Sequence, residues 1–393
     1  MSYQDVNSIV EKLHQGHPID PIHPDAHTMA KSKYPVVESN KYFVSLNSLN
    51  FGSVSQLNIP NAGVVKQIFI NGYFDTDGST SRTVANAGYA MIDFIRYRIG
   101  NSTLYQIDGV DNWNIVCSQL RTQEAIAEAY LLAGGDADGA GLAAAKQFSV
   151  AVSTPYSRFM LMSRQYGIDA TIMRTPLYVD IQLKTADKVY TAGSRTALQS
   201  AQFHIIQSEY MDRSNRLIPH EGHFLSLPTR YMQSYVTRSF TPASTSAVNS
   251  VDLLSFRKGN LIGMIFTLHD VANLNGTAPF SYNAISDLDI KFNGVSIYRS
   301  LNDDYKLQQL RNAVGAYSYH VSPAGTRNYR VEACFVPFHW GQAGHNFNYG
   351  IQLNAQALQC SFKSSSTNPQ VLKVVYVYDS LILYNEESQD IVL

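Results

Sequence analysis

The chain repeats itself, and this repetition constrains the fold more than any other feature of the sequence. The segment IRYRIGNSTLY, which begins at Ile95, resembles IKFNGVSIY, which begins at Ile290. Both segments read apolar, basic and apolar, pass through a turn that contains glycine, and reach an aliphatic residue followed by tyrosine. Other strand-like segments match in the same order in both halves, and one such pair ends at Pro155 and Pro337. Ordered self-similarity is typical of duplicated units, so we predict two similar units in tandem.

From residue 41 onward, apolar and polar residues alternate with a period of two. Ile95, Tyr97 and Ile99, for example, are separated by single arginines. Alternation in short runs bounded by Gly, Asn, Asp or Pro predicts strands with one buried face. Strands joined by long connections, with a helix in one crossover, fit two facing sheets with Greek-key connections. The predicted fold is therefore all-β: two tandem eight-stranded jelly rolls, with short helices in the crossovers and an N-terminal arm.

Positions in phase with this alternation are predicted to form the core of both units. Ile95 is expected to superpose on Ile290, and Pro155 on Pro337. The predicted repeat-equivalent core positions are Ile95, Tyr97, Pro155, Ile290, Phe292 and Pro337. Two stretches combine helix-forming residues with terminal capping or stop signals, so helices are predicted at 119–132 and 304–314.

The predicted organisation begins with an arm that differs from the rest of the chain. Its apolar residues recur at helical spacing and predict a short amphipathic helix; they are Val6, Ile9, Val10 and Leu13. Three prolines follow within HQGHPIDPIHPDAH, and because proline lacks a backbone donor we expect this part to be extended. The parts are an arm at 1–40, a first jelly roll at 41–213, a linker at 214–227, and a second jelly roll with a C-terminal tail at 228–393.

The charge balance argues against nucleic-acid binding. Lys and Arg total 30 and Asp and Glu total 31, which gives a formal net charge of −1, whereas binding to phosphates needs a basic face. The arm itself has three lysines and five acidic residues. The cysteines Cys117, Cys334 and Cys360 provide no disulfide framework and are interpreted as buried thiols in a reducing compartment. No signal peptide is visible, and no apolar run reaches the roughly 18 residues of a membrane span.

Patterns that suggest chemistry are weak. Gly139 and Gly141 resemble part of a dinucleotide-binding turn, but they follow a predicted helix instead of a strand. The Asp-Gly pairs at Asp77 and Asp138 lack the remaining oxygen ligands of a calcium loop. The segment HEGH at His220 lacks the spacing that places two histidines on one helical face. We therefore predict no catalytic, cofactor-binding or metal-binding residues, and no enzyme.

The order of elements resembles that of the double jelly-roll major capsid proteins of tailless, icosahedral, membrane-containing viruses, the tectivirus type. The resemblance covers about residues 41–385 and rests on short sequence segments that correspond to structural elements. These are IPNAGVVKQIFI at 59–70, Tyr105-Gln, the segment around Trp113, the strand that ends at Pro155, and QSEYMD at 207–212.

The resemblance implies a structural protein of the virion, of a bacteriophage for example, that is made in the host cytoplasm. It implies homotrimers with a pseudo-hexagonal outline that tile an icosahedral shell over an internal membrane. The partners would be further copies of the chain and the minor capsid, penton or membrane proteins of the virion, with no cofactor. A second hypothesis stays open, because jelly rolls with exposed aromatic residues also occur as carbohydrate-binding or glycan-processing proteins.

Overall fold

The computed structural model describes most of the chain between residues 39 and 392. The described residues are 39–44, 49–60, 64–77, 82–119, 123–135, 142, 144–152, 168–169, 176–192, 198–209, 225–253, 260–301, 320–321, 327–328, 334–337, 351–352, 358–384 and 391–392. Within these ranges, none of the helices combines the length and the apolar character needed to cross a membrane.

Strands dominate both halves of the chain. In the first half they are β1 (Ser39–Val44), β2 (Val54–Asn58), β3 (Val64–Asp77), β4 (Arg82–Thr83), β5 (Ile92–Ile99), β6 (Ser102–Ile107), β7 (Ala144–Val152), β8 (Ile168–Asp169), β9 (Leu177–Leu183), β10 (Tyr190–Ala192) and β11 (Leu198–Glu209). In the second half they are β12 (Leu225–Val236), β13 (Val248–Leu253), β14 (Asn260–Asp270), β15 (Ile285–Phe292), β16 (Val295–Arg299), β17 (His320–Val321), β18 (Arg327–Asn328), β19 (Cys334–Pro337), β20 (Ile351–Gln352), β21 (Leu358–Ser364), β22 (Gln370–Tyr384) and β23 (Ile391–Val392).

Short helices lie in the connections between strands. They are α1 (Ala87–Ala90), α2 (Gly109–Gln119), α3 (Gln123–Leu132) and α4 (Val271–Asn275), with a 3₁₀ turn at Ala186–Lys188. Helix α3 accounts for the helix predicted at 119–132 and begins four residues later than expected, whereas α2, which precedes it, was not predicted. The sequence of α2, GVDNWNIVCSQ, is poor in strong helix formers. Its residues 109–117 are all buried, so tertiary packing and not propensity accounts for this helix.

The sheet order is the same in both halves. In the first half the two sheets run β1-β11-β3-β7 and β2-β9-β5-β6, and in the second they run β12-β22-β14-β19 and β13-β21-β15-β16. If the eight principal strands of each half are counted along the chain, both halves pair first-eighth-third-sixth and second-seventh-fourth-fifth. This order defines a jelly roll, so the predicted pair of eight-stranded jelly rolls is confirmed.

The two sandwiches share one sheet. Strand β6, the last strand of the second sheet of the first sandwich, lies parallel to β12, with Gln106 opposite Gln233. The pairing joins one sheet from each sandwich into a continuous sheet of ten strands.

The duplication extends to irregularities of the backbone. Gly100 and Asn101 connect β5 to β6, and Asn293 and Gly294 connect β15 to β16 at the corresponding place. Asn293 and Gly294 have φ angles of 50° and 81°, as a tight Asn-Gly hairpin turn requires. In each hairpin a β-bulge interrupts the pairing at the same distance from the turn, between Tyr97 and Arg98 in the first and between Ile290 and Lys291 in the second.

These turns correct the predicted alignment of the repeats. Counted back from the turn, Tyr97 corresponds to Ile290 and Ile99 corresponds to Phe292. The partner strands agree, because Ile99 and Phe292 pair with the first residues of β9 and β21. The expected superposition of Ile95 on Ile290 is therefore wrong by two residues. A shift of two keeps every side chain on the same face of a strand, and both alignments place a basic residue between apolar ones.

The predicted core positions differ in burial. Ile95, Tyr97 and Ile290 are buried and belong to the main hydrophobic cluster, whereas Phe292 is only partly buried and packs against that cluster. Phe292 is the last residue of β15, next to the turn, and this position accounts for its exposure. Pro337 ends β19 and pairs with Gly263.

Several predictions fall outside the described residues. They concern the arm helix of Val6, Ile9, Val10 and Leu13, the equivalence of Pro155, the helix at 304–314, and the segment HEGH. Strand β1 begins at Ser39 and β12 at Leu225, so each strand starts two or three residues before the predicted start of its jelly roll. The division into four parts is otherwise a prediction still.

Candidate functional site

The two sandwiches meet where β6 ends and α2 begins. Asp108 stands between the two elements, and the backbone N–H of Asp111 donates to its Oδ1 at 2.9 Å, so Asp108 caps the helix. The next residue, Gly109, leaves no room for a side chain, since a Cβ atom there would lie 1.9 Å from the carbonyl oxygen of Tyr89. This short sequence therefore fixes two acidic side chains at the border of the first sandwich.

Lys373 of β22 reaches these carboxylates from the second sandwich. Its side chain is 1% exposed, its Nζ lies 3.1 Å from Oδ1 of Asp111, and it also forms an ion pair with Oδ2 of Asp108. The hydroxyl of Ser234, on β12, donates to the other carboxylate oxygen of Asp111. We call Asp108, Asp111, Ser234 and Lys373 the junction cluster; each sandwich supplies two of its members.

Burial sets the protonation of the junction cluster. Burial, and then the negative charge of Asp108, raise the pKa of Asp111 to about 6, although Lys373 and Ser234 oppose the shift. Burial acts in the same direction on Asp108, but the ammonium group of Lys373, the backbone N–H of Asp111 and the charge of Lys184 together outweigh burial and hold the pKa of Asp108 below its usual value. Burial would lower the pKa of Lys373, yet the two carboxylates raise it. At pH 7 the cluster therefore contains the cation of Lys373 and the anion of Asp108, and the carboxyl group of Asp111 has a pKa of about 6.

A second line of polar contacts crosses the junction beside the cluster. His269 of β14 is fully buried, and its Nε2 lies 2.9 Å from Oγ1 of Thr267. Its ring meets the edge of Tyr282 at 4.9 Å between centroids, and the Tyr282 hydroxyl donates to Oδ1 of Asn114 on α2 at 3.2 Å. Burial and then the charge of Lys373 lower the pKa of His269 to about 3, so this histidine is neutral near pH 7.

The junction cluster can hold the two sandwiches in one orientation. Buried charges are costly unless they are paired, and sliding either sandwich would separate Lys373 from the carboxylates. The rings of Tyr89 and Trp113, with centroids 5.0 Å apart, pack on the side of α2 that faces the first sandwich.

Among the described residues, no group of three His, Cys, Asp or Glu side chains could hold a metal ion.

Exposed aliphatic side chains mark equivalent edge strands of the two sandwiches. Among the described strands, β2 pairs only with β9, and β13 only with β21. Val54 opens β2 and is 57% exposed, and Val248 opens β13 and is 65% exposed. Both valines pair with the penultimate residue of their partner strand. The matching segments VSQLNI and VNSVDL are a repeat that could have been recognised in the sequence.

The sequence did not predict the junction cluster. The predicted core positions in β5 and β15 lie in separate sandwiches, and none of them is a member of the cluster. One signal was available, because Lys373 interrupts the apolar run VLKVVYVY at 371–378. A charged residue inside a run that predicts a buried strand needs a buried partner, but the sequence does not show which carboxylates supply it.

Comparisons with known proteins find similarity at the level of structure. No protein-family model matches the sequence, and no curated protein matches it. The PBCV-1 virus capsid protein superposes with a TM-score of 0.66 at 10% identity, over 89% of this chain and 95% of the other. The Faustovirus major capsid protein gives a TM-score of 0.61 at 9% identity, over 98% of both chains.

A third solved structure supports the same assignment. The STIV MCP superposes with a TM-score of 0.58 at 13% identity, over 87% of this chain and 96% of the other. Identities this low establish the fold alone. The strand order of both halves and the coverage of these matches lead to one conclusion: the chain has the double jelly-roll fold found in these viral capsid proteins.

Proposed function

We propose that the chain is a viral major capsid protein that assembles as homotrimers with a pseudo-hexagonal outline. The observation that carries the proposal is that both halves have the same eight-stranded order, in a chain whose structural neighbours include capsid proteins matched over almost their full length. Three copies of a two-sandwich chain place six similar sandwiches around a threefold axis, and cyclic symmetry closes such a ring.

A ring of six similar sandwiches suits a shell. Its outline approximates a hexagon, and hexagons pack edge to edge into facets. We propose that the trimers tile an icosahedral shell over an internal lipid membrane, with the arm at 1–40 on the inner face. On this proposal the protein is not an enzyme, is located in the virion, and is synthesised in the host cytoplasm.

The proposed partners are further copies of the chain and the minor capsid, penton and membrane proteins of the virion. The net charge of −1 supports the expectation that the protein does not bind the genome directly, because phosphate binding needs a basic surface.

The proposal is tested by the mass of the purified protein and by its assembly. Light scattering at micromolar concentration should give three times the chain mass of 43.7 kDa, and electron microscopy of concentrated protein should show hexagonal arrays or closed particles. A chain that is monomeric at every concentration and forms neither would contradict the proposal. Binding of that monomer to immobilised glycans would favour the carbohydrate-binding hypothesis instead.

A further inference from the structure

Lys373 is a buried amine that lies against two carboxyl groups, and groups in this arrangement can react as well as pair. Its Nζ lies 3.1 Å from Oδ1 of Asp111 and contacts Oδ2 of Asp108. The side chains of Lys373 and Asp111 are each 1% exposed, so bulk water is excluded from their contact. Oriented groups in contact react as if at effective concentrations of about 10⁵–10⁸ M, which favours formation of an amide here.

The other two members of the junction cluster are placed for the proton transfers and the charge stabilisation that amide formation needs. Oδ2 of Asp108 contacts Nζ, so this carboxylate can take protons from the attacking amine. Ser234 donates its hydroxyl to Oδ2 of Asp111, the oxygen that becomes negative when the amine adds to the carboxyl carbon. The side chain of Asp108 is 31% exposed, which gives protons and expelled water a route to solvent.

We propose that Lys373 and Asp111 form an isopeptide bond that joins the two sandwiches covalently. The bond from Nζ to Cγ of Asp111 forms, and the bond from Cγ to Oδ1 breaks. The ammonium group loses two protons through Asp108: one passes to the departing hydroxyl, which leaves as water, and the other is released to solvent. The reaction needs no oxidant, reductant or other co-reactant, and it is independent of the proposed function.

Bond formation also removes a cost of burial. A buried ammonium group is costly to desolvate even when it is paired, whereas the amide that replaces it is neutral. The bond fixes the orientation of the sandwiches that the ion pairs select. Until the bond forms, the junction cluster remains the ion-paired group described above, and this group is the reactant.

The rate of bond formation should depend on pH, because an ionised carboxylate is a poor electrophile. The pKa of Asp111, about 6, makes its reactive protonated form about tenfold more abundant at pH 5 than at pH 7. The charged and titratable groups around it are Asp108, Lys373, His269 on β14 and Lys184 after β9. Asp108 stays ionised at pH 5, since its pKa is held below the usual aspartate value, and can still act as the base.

Intact mass spectrometry of the full chain tests the proposal. Protein incubated at pH 5 should become lighter by one water molecule, about tenfold faster than protein incubated at pH 7. Trypsin should then release a branched peptide that joins residues 99–121, which include Asp111, to residues 364–393, which stay uncleaved at Lys373. Fragment masses identify the carboxyl group at the branch.

Substitutions with a matched control separate the reaction from the structure. Lys373→Arg keeps the positive charge and should yield no branched peptide. Ser234→Ala removes the donor to the carboxyl oxygen and should slow the reaction by about 10²-fold or more. The control is Lys363→Arg, which changes a lysine that lies 2.6 Å from Asp287 on a partly exposed face, and it should react as the wild type does. Circular dichroism verifies that each variant is folded.

Three outcomes would overturn the inference. The first is a wild-type chain that keeps its full mass throughout incubation at pH 5. The second is a branch at Asp108 instead of Asp111. The third is equal loss of water in wild type and Lys373→Arg, because cyclisation at an Asp-Gly pair would then account for the change in mass.

Discussion

Lys373 lies in the apolar strand β22, where a charged side chain is costly unless it is paired. We expect Lys373→Met to destabilise the protein by about 3–5 kcal/mol, because it leaves Asp111 buried without its cation. Denaturant unfolding measures the loss. Lys363→Met is the matched control, since Lys363 pairs with Asp287 at 2.6 Å on a partly exposed face and should cost at most about 1 kcal/mol.

A double-substitution cycle distinguishes pairing from packing at this residue. If the loss comes from the unpaired carboxylate, Asp111→Asn combined with Lys373→Met should be less destabilising than the sum of the two single changes. Additive losses, or equal losses at Lys373 and Lys363, would show that the junction cluster does not contribute through charge pairing.

The raised pKa of Asp111 also predicts how the free energy of unfolding depends on pH. Its pKa is raised to about 6 in the folded protein, so between the usual aspartate value near 4 and pH 6 the folded state holds a proton that the unfolded state lacks. Stability contributed by Asp111 therefore increases as pH falls from 7 to about 5. His269 acts in the opposite direction, because its pKa is lowered to about 3 and the unfolded state takes up its proton first.

The difference between wild type and Asp111→Asn isolates the aspartate from His269 and other titrating groups. The wild type should gain stability relative to the variant between pH 7 and pH 5, by an amount on the order of 1–3 kcal/mol. Parallel unfolding curves over a pH series provide the measurement. A difference that does not change with pH, or that changes in the opposite direction, would show that Asp111 is not protonated preferentially in the folded state.

At the scale of elements, the period-two alternation predicted the strands well, because one buried face imposes it directly. The duplication was also visible, since β5 and β15 keep the same turn and bulge. The register between these two strands could not be predicted, because a shift of two residues keeps every side chain on the same face of the strand and keeps the alternation of apolar and basic residues. Helix α2 was missed for a different reason: burial by neighbouring elements stabilises it, and its Gly, Asp and Asn residues are typical of turns.

The corrected register makes a prediction at the end of β15. Ile290 is fully buried and Phe292 is only partly buried, although the alternation of apolar and polar residues predicts that both are buried. Ile290→Ala should therefore cost about 2–5 kcal/mol, and Phe292→Ala should cost less than the roughly 3–5 kcal/mol of a fully buried phenylalanine. Thermal or denaturant unfolding of both variants decides the order. A larger loss at Phe292 than at Ile290 would show that the burial assigned to this strand end is wrong.

At the scale of the whole molecule, the sheet of ten strands joins the two sandwiches, because strands of both contribute to it. Along its path, one end of that sheet is β2 of the first sandwich and the other is β19 of the second. The sequence indicated the duplication. It could not identify β6 and β12 as the strands that join the sandwiches, because strand order arises from pairings between residues far apart in the chain.

We expect the arm at 1–40 to act in the assembly of trimers into a closed shell. It carries five acidic residues against three lysines, and its sequence offers too few apolar residues at helical spacing to stabilise a helix alone. We therefore expect it to act as an assembly switch that orders only against a neighbouring subunit or the inner membrane surface. Deletion of residues 1–35 removes none of the described strands, so the trimer should form with an unchanged melting temperature while the yield of closed particles falls. Melting temperature and particle counts are measured on the same preparations. A deletion that dissociates the trimer would place the arm in the subunit fold, and normal particle yield would show that the arm is dispensable for closure.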